Sequence, residues 1–293
     1  MGKIESRGEW RGNSAGRGSA WSLAMSPAPS GAGVRILGMR PVAMLLAFAM
    51  AILTLGLAAP AAQAVGTSVV LRSLVVTDGS AEIGALQNEL DIQGIPYTLV
   101  DASAGTIDAG FLTDGGQGNF QAVFLPDQAG GGLTQPELDA LAAYEAEYGV
   151  RQVNAYMFPD SSVGLVNQES GTLDGKDLTL TDAGHEGPFA YLKASAQIPV
   201  DNNDPGISES FGYVPAPRDP MPVGQSYTPM VNTTLDGTTG PVVGVFAEGG
   251  REEMVISISG NKNMQWFNTV AEGIVSWATR GISLGFNRSY FNV

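Results

Sequence analysis

The sequence predicts an α/β fold, a doubly wound and mostly parallel sheet of the flavodoxin or glutamine-amidotransferase kind that carries a β-rich insertion. Three observations predict it. Short apolar runs alternate with segments of helical periodicity from Arg72 to Asp160, and that alternation argues a parallel sheet covered on both faces. Between residues 161 and 240 the pattern breaks, and Gly, Pro, Asn, Asp and Thr gather around short alternating runs such as DLTLTD, FAYLKAS and FGYVPAP, the mark of β structure with long loops. It then returns in PVVGVFAEGG and EEMVISIS, two strands around a Gly-Gly-Arg turn, followed by a last helix.

Each element has its own warrant. RSLVVTD (72–78) is a short apolar strand. Ser80 precedes Ile83, Leu86 and Leu90 at helical spacing, with Gly94 and Pro96 as the stop. YTLVD (97–101) and FQAVFLPD (120–127) are the second and third strands. Thr134 and Glu137 form a capping box before Leu138, Leu141 and Tyr148, which share a helical face. VRQVNAYMFPD (150–160) is a fourth strand. Asn263 opens the last helix, which carries Met264, Phe267, Val270, Ile274 and Trp277 and is closed by Gly281. The resulting division is an α/β domain over 66–158 plus 241–281 with an insertion at 159–240.

The first 64 residues stand apart from this fold. Residues 1–34 are rich in Gly, Ser and Arg with nothing to pack, which predicts a disordered extension. In 35–64, Arg35 and Arg40 precede the apolar run PVAMLLAFAMAILTLGLAA and then PAAQA, with Ala62 and Ala64 in the small-x-small positions. That order reads as a secretory signal peptide cleaved after Ala64. The run from Val42 to Ala59 is also near bilayer-spanning length, so an uncleaved anchor is the alternative.

The remaining 229 residues hold nine Lys and Arg against 27 Asp and Glu, a net charge of −18 where the whole chain carries −14. Such a charge opposes nucleic acid and anionic membrane surfaces as partners. There is no cysteine, so an exported fold must rest on its core without disulfides.

Candidate chemistry is sparse. Four predicted strands end in aspartate, Asp78, Asp101, Asp127 and Asp160. Ligands bind beyond the carboxyl ends of strands in open α/β sheets, so an acidic rim for a cation or a hydroxyl-rich ligand is one reading. The other is that Asp is a favoured turn and N-cap residue. No G-x-G-x-x-G or Walker A pattern follows the first strand, no G-x-S-x-G is present, and His185 is the only histidine. Multi-His or multi-Cys zinc sites are therefore excluded, and no cofactor is expected. DNNDP (201–205) lacks the Gly and distal Glu of an EF-hand loop.

The insertion holds aromatic candidates. Phe189 with Tyr191, and Phe211 with Tyr213, are spaced two apart, which on a strand places each pair on one face; Tyr227 stands alone. Stacking on sugar rings and core packing of a small β-sandwich both explain them.

Three stretches carry a family resemblance: ISLGFNRSYFNV (282–293), VRQVNAYMFPD (150–160) and GVFAEGGREEMVIS (244–257). They resemble the N-terminal half of secreted microbial polysaccharide deacetylases related to the fungal galactosaminogalactan deacetylase, the family described as carbohydrate esterase family 18 with an attached family 87 carbohydrate-binding module. The resemblance covers about Ser68 to Val293. It implies an exported, non-catalytic module that holds an exopolysaccharide or cell-wall glycan, with an amino-sugar polymer as the expected partner. In that family the phrase similar to GFNRSYFNV leads into a His-x-Asp-Asp segment that opens the metal-dependent barrel. Residues 282–293 are accordingly expected to be the first strand of a further domain, and no catalytic or metal-binding residue is expected before Val293. The alternative is the N-terminal half of a split or truncated deacetylase whose catalytic domain is encoded downstream.

Overall fold

The computed structural model describes residues 67–284 except 105, 202–205 and 207–208. The expected extension, signal peptide and terminal strand from 285 onward, with most of DNNDP, lie outside the described residues.

Thirteen strands, five α-helices and one 3-10 turn (Ser161–Val163) are described. The strands are β1 (Ser73–Thr77), β2 (Tyr97–Asp101), β3 (Thr113–Asp114), β4 (Gln117–Gly118), β5 (Ala122–Leu125), β6 (Arg151–Asn154) and β7 (Leu165–Thr172). They continue with β8 (Asp177–Leu180), β9 (Gln197–Pro199), β10 (Phe211–Pro217), β11 (Gln225–Leu235), β12 (Thr238–Glu248) and β13 (Arg251–Ile256). The helices are α1 (Ala81–Gln93), α2 (Ala109–Leu112), α3 (Gln135–Tyr148), α4 (Asp182–Glu186) and α5 (Gln265–Ala278).

Nine strands form one sheet in the order β2-β1-β5-β6-β13-β12-β11-β8-β9. From β2 to β13 neighbours run parallel; from β13 to β9 they run antiparallel. The expectation of a doubly wound, mostly parallel, flavodoxin-like sheet is corrected by this: the fold is a β-rich mixed sheet with few helices. The physical reason lies in residues 161–240. Their strands β8, β9 and β11 continue the main sheet, because β11 pairs with β12 along nearly its whole length and then with β8. Only β7 and β10 form a separate antiparallel ribbon, which packs on β11 and β12.

Local chemistry explains the elements. Thr134 N donates to Glu137 at 2.8 Å and completes the capping box of α3. α1 ends at Gly94, whose φ of 67° suits a left-handed C-cap. Met264, one residue later than expected, occupies the N-cap of α5. α1 and α5 bury their apolar faces against Val75, Phe124, Val153 and Met254 on one side of the sheet. α2 and α3 cover Leu74, Val76, Val123 and Leu125 on the other. Alternation along β1 thus divides its residues between two cores. Among the described residues no helix is long and apolar enough to cross a membrane.

Candidate functional site

Just beyond the carboxyl end of β6, the chain continues as Tyr156, Met157 and Phe158. Met157 N donates to Ile256 O at 2.9 Å and holds this segment beside the end of β13. On its other side, Tyr213 N donates to Ser257 O and Ser259 N to Phe211 O, each at 2.8 Å, so the start of β10 runs alongside 257–259. Two aromatic segments distant in sequence are thereby set against one strand end.

Their rings meet. Phe158 and Tyr213 pack edge to face with centroids 5.0 Å apart, Phe211 and Tyr213 do so at 5.4 Å, and Tyr156 stacks on Tyr213 at 6.0 Å. Phe158 is 52% exposed and Phe211 40%, although both rings are fully apolar. Burial first, then the adjacent Tyr213 hydroxyl, raises the Tyr156 phenol above its ordinary pKa, so it stays a neutral hydrogen-bonding group. The cluster combines exposed apolar faces with phenol tips, the combination that suits an amphipathic ring-shaped ligand.

Gly212, between two members, makes this approach possible. A Cβ there would lie 2.3 Å from Leu173 Cδ1 and 3.4 Å from Ser257 O.

The other aromatic candidates lie elsewhere. Residues 188–192 form turns and not a strand, so Phe189 and Tyr191 part company: Phe189 is fully buried beneath Gly273 of α5, while Tyr191 is 49% exposed. The Tyr191 hydroxyl donates to Thr269 O at 2.8 Å and accepts from Gly273 N at 3.2 Å, and burial pushes the phenol up to about 12. Tyr227 packs in a small cluster with Met157, Val163, Leu165, Phe246 and Val255. Its hydroxyl abuts Gly244. The structure therefore brings Phe211 and Tyr213 together, leaves Phe189, Tyr191 and Tyr227 apart, and adds Phe158 and Tyr156, which sequence reasoning missed. Their signal was present in the run YMFPD, where two aromatics spaced two apart close the predicted strand 150–160.

The four aspartates end (Asp101) or follow (Asp78, Asp127, Asp160) four neighbouring parallel strands, and each organises the turn after it. Asp78 accepts from Ser80 N at 2.9 Å, Asp101 from Ser103 N at 2.8 Å, Asp127 from Ala129 N at 2.9 Å, and Asp160 from Ser162 N at 2.8 Å. The Ser103 hydroxyl, and then its N–H, hold the Asp101 carboxyl below its ordinary value. These are turn-capping geometries. Among the described residues no three His, Cys, Asp or Glu side chains gather closely enough to hold a metal ion. His185 sits on the short helix α4.

The described residues thus form a mixed β-rich sheet and a β7–β10 ribbon that bring two exposed rings, Phe158 and Phe211, into one cluster. Residues 69–203 match the family model described as the Agd3 CBM87, and this part of the chain is an Agd3-like carbohydrate-binding module. The fold agrees: the structure of Agd3, described as a novel carbohydrate deacetylase, superposes with a TM-score of 0.63 and 21% identity over 76% of this chain. The aligned part is 34% of Agd3, so the chain spans about a third of that protein's length. β-Galactosidases from Rahnella sp. R3 and Bacillus circulans sp. alkalophilus align at TM-scores of 0.42 and 0.44, with 10% and 12% identity. Those alignments cover 71% and 68% of this chain and 31% and 26% of theirs. No curated protein sequence matches the chain significantly.

Proposed function

We propose that the chain is an exported, non-catalytic accessory module that holds an amino-sugar polysaccharide for a deacetylase-like partner domain, with Phe158, Phe211 and Tyr213 as the sugar-stacking surface. The observation that carries this reading is the exposure of apolar rings in one cluster within a carbohydrate-binding-module fold. Hydrogen bonds to a sugar largely replace bonds to water and contribute little net affinity. Apolar stacking must supply the rest, at about 25 cal/mol per Å² removed from water. One module then binds in the micromolar to millimolar range, and retention on a polymer depends on repeated contacts.

The basic, apolar and Ala-Gln-Ala order of residues 35–64 supports export. The test is a pull-down of the 65–293 segment on insoluble amino-sugar polymer, compared with cellulose and with the Phe158→Ala and Tyr213→Ala variants. Retention lost in both variants supports the reading. Equal retention of all three proteins, or none by the unaltered segment, refutes it.

A further inference from the structure

A cleft of about 520 Å³ opens on the α3 face of the sheet, within the size range of small-ligand sites. Leu138 and Leu141 of α3, with Val163 and Phe246, give it an apolar lining. Two of the aspartate turns contribute to its lining. Asp127 orders the turn that presents Gln128, Asp160 the turn that presents Ser162, and Gln128 Nε2 donates to Ser162 Oγ at 3.0 Å.

The charge inside is unbalanced. Arg251 lines the cleft, but its guanidinium is committed to Glu145 at 2.8 Å and to Glu253 at 2.9 Å. Asp139 and Glu248 line the same space and are exposed. Gln152, only 4% exposed, also lines it. Its Nε2 is spent on Asn154 Oδ1 at 2.7 Å and Glu253 at 3.4 Å, which leaves Oε1 without a partner among the described residues. An acceptor that opens to the cleft with no protein donor, beside surplus carboxylate, suits a ligand that brings donors and positive charge.

We infer that this cleft is a second glycan subsite that takes a sugar residue bearing a protonated amine. The ammonium group lies among Glu248, Asp139 and Glu253, and Gln152 Oε1 accepts from it or from a neighbouring hydroxyl. Gln128 and Ser162 meet the remaining hydroxyls. Phe158 and Ser162 are four residues apart, so their Cα atoms are separated by about 14 Å at most, a span one oligosaccharide can bridge over the rim. This inference rests on the glycan-holding reading.

The test titrates the 65–293 segment with a fully de-N-acetylated glucosamine oligomer and with its N-acetylated counterpart, at pH 6 and moderate salt. The unaltered segment is expected to bind the amine form more tightly. The double variant Asp139→Asn, Glu248→Gln keeps both side-chain shapes and is expected to lose about tenfold for the amine form and nothing for the acetylated form. A second double variant far from the cleft, Glu186→Gln with Asp236→Asn, controls for the chain's general negative charge and is expected to leave both affinities unchanged. Equal affinity of the unaltered segment for both oligomers, no loss in the cleft variant, or the same loss in the distant variant overturns the cleft while the glycan reading stands. Binding of neither oligomer overturns both.

Discussion

Phe158 and Tyr213 lie edge to face with ring centroids 5.0 Å apart, joined only because 156–158 and the start of β10 both hydrogen-bond to the chain around 256–259. A contact of this kind contributes about 0.5–1.5 kcal/mol beyond area burial, too little to justify the exposed Phe158 ring against half-buried Tyr213 by stability alone.

Truncation should separate binding from folding. Phe158→Ala is expected to weaken retention on amino-sugar polymer about 5- to 30-fold, the loss of roughly 1–2 kcal/mol of stacking area, while shifting thermal unfolding little. Phe189→Ala removes a fully buried ring and is expected to cost about 3–5 kcal/mol of stability. Parallel unfolding and pull-down measurements check both; loss of fold in the Phe158 variant would sink the stacking role.

Gly212→Ala places a methyl against Leu173, itself fully buried. The added group must displace packed core, at a typical cost of about 1–3 kcal/mol. Because the position lies between Phe211 and Tyr213, binding should fall together with stability. Urea midpoints and pull-down on the same preparation test the coupling, and a change in neither would show that the approach is looser than the geometry implies.

The buried Glu145 predicts a pH dependence. Burial, opposed by Arg251, pushes its carboxyl up to about 8, above the ordinary glutamate value. With the folded pKa above the unfolded one, its contribution is fully present below the unfolded pKa and is lost as pH rises through about 8. Each pH unit in that window corresponds to about 1.4 kcal/mol. The unaltered protein should therefore lose stability relative to Glu145→Gln between about pH 5 and pH 9. Chemical denaturation of both proteins across that range decides it; parallel curves would show that the Arg251 pairing keeps Glu145 ionised throughout.

Glu137 accepts from Thr134 N at 2.8 Å, Thr134 Oγ at 2.7 Å and Ile107 N at 3.1 Å. The Thr134 N–H, then its hydroxyl and Ile107 N, hold its carboxyl below the usual range. Glu137→Ala removes a cap and a tie to the loop before α2, and about 1–2 kcal/mol is expected. Hydrogen exchange should quicken at Ile107 as well as in the first turn of α3; an effect confined to α3 would deny the long-range tie.

Much of this was legible in the residues. The apolar run at 72–78, the helical spacing from Ser80 and the capping box at Thr134 each depend on neighbours within a few positions, and each forms as read. Sheet membership does not work that way. β8 and β11 join through the pairing of Leu178–Leu180 with Val231–Thr233, which no local period encodes. One local signal was available: Asp236 and Gly237, with φ of 49° and 87°, form the two-residue turn between β11 and β12, and Asp-Gly between alternating runs is a hairpin sequence. Glu145 sits on the same helical face as Leu141 and Tyr148, so its burial followed from spacing. Its partner Arg251, on β13, could not be read that way.

β13 occupies the middle of the nine-stranded sheet, yet of its strands it is the last in the chain. During synthesis β6 therefore waits with one edge unpaired until residues 251–256 have emerged, and β12 gains its second neighbour only then. Closure of such long-range pairings is slow, and open strand edges recruit other chains. A nascent chain stalled before residue 251 would hold two half-sheets with matching bare edges, ready to pair with copies of itself. Within this sheet β13 is the strand that joins the parallel half, β2-β1-β5-β6, to the antiparallel half, β12-β11-β8-β9.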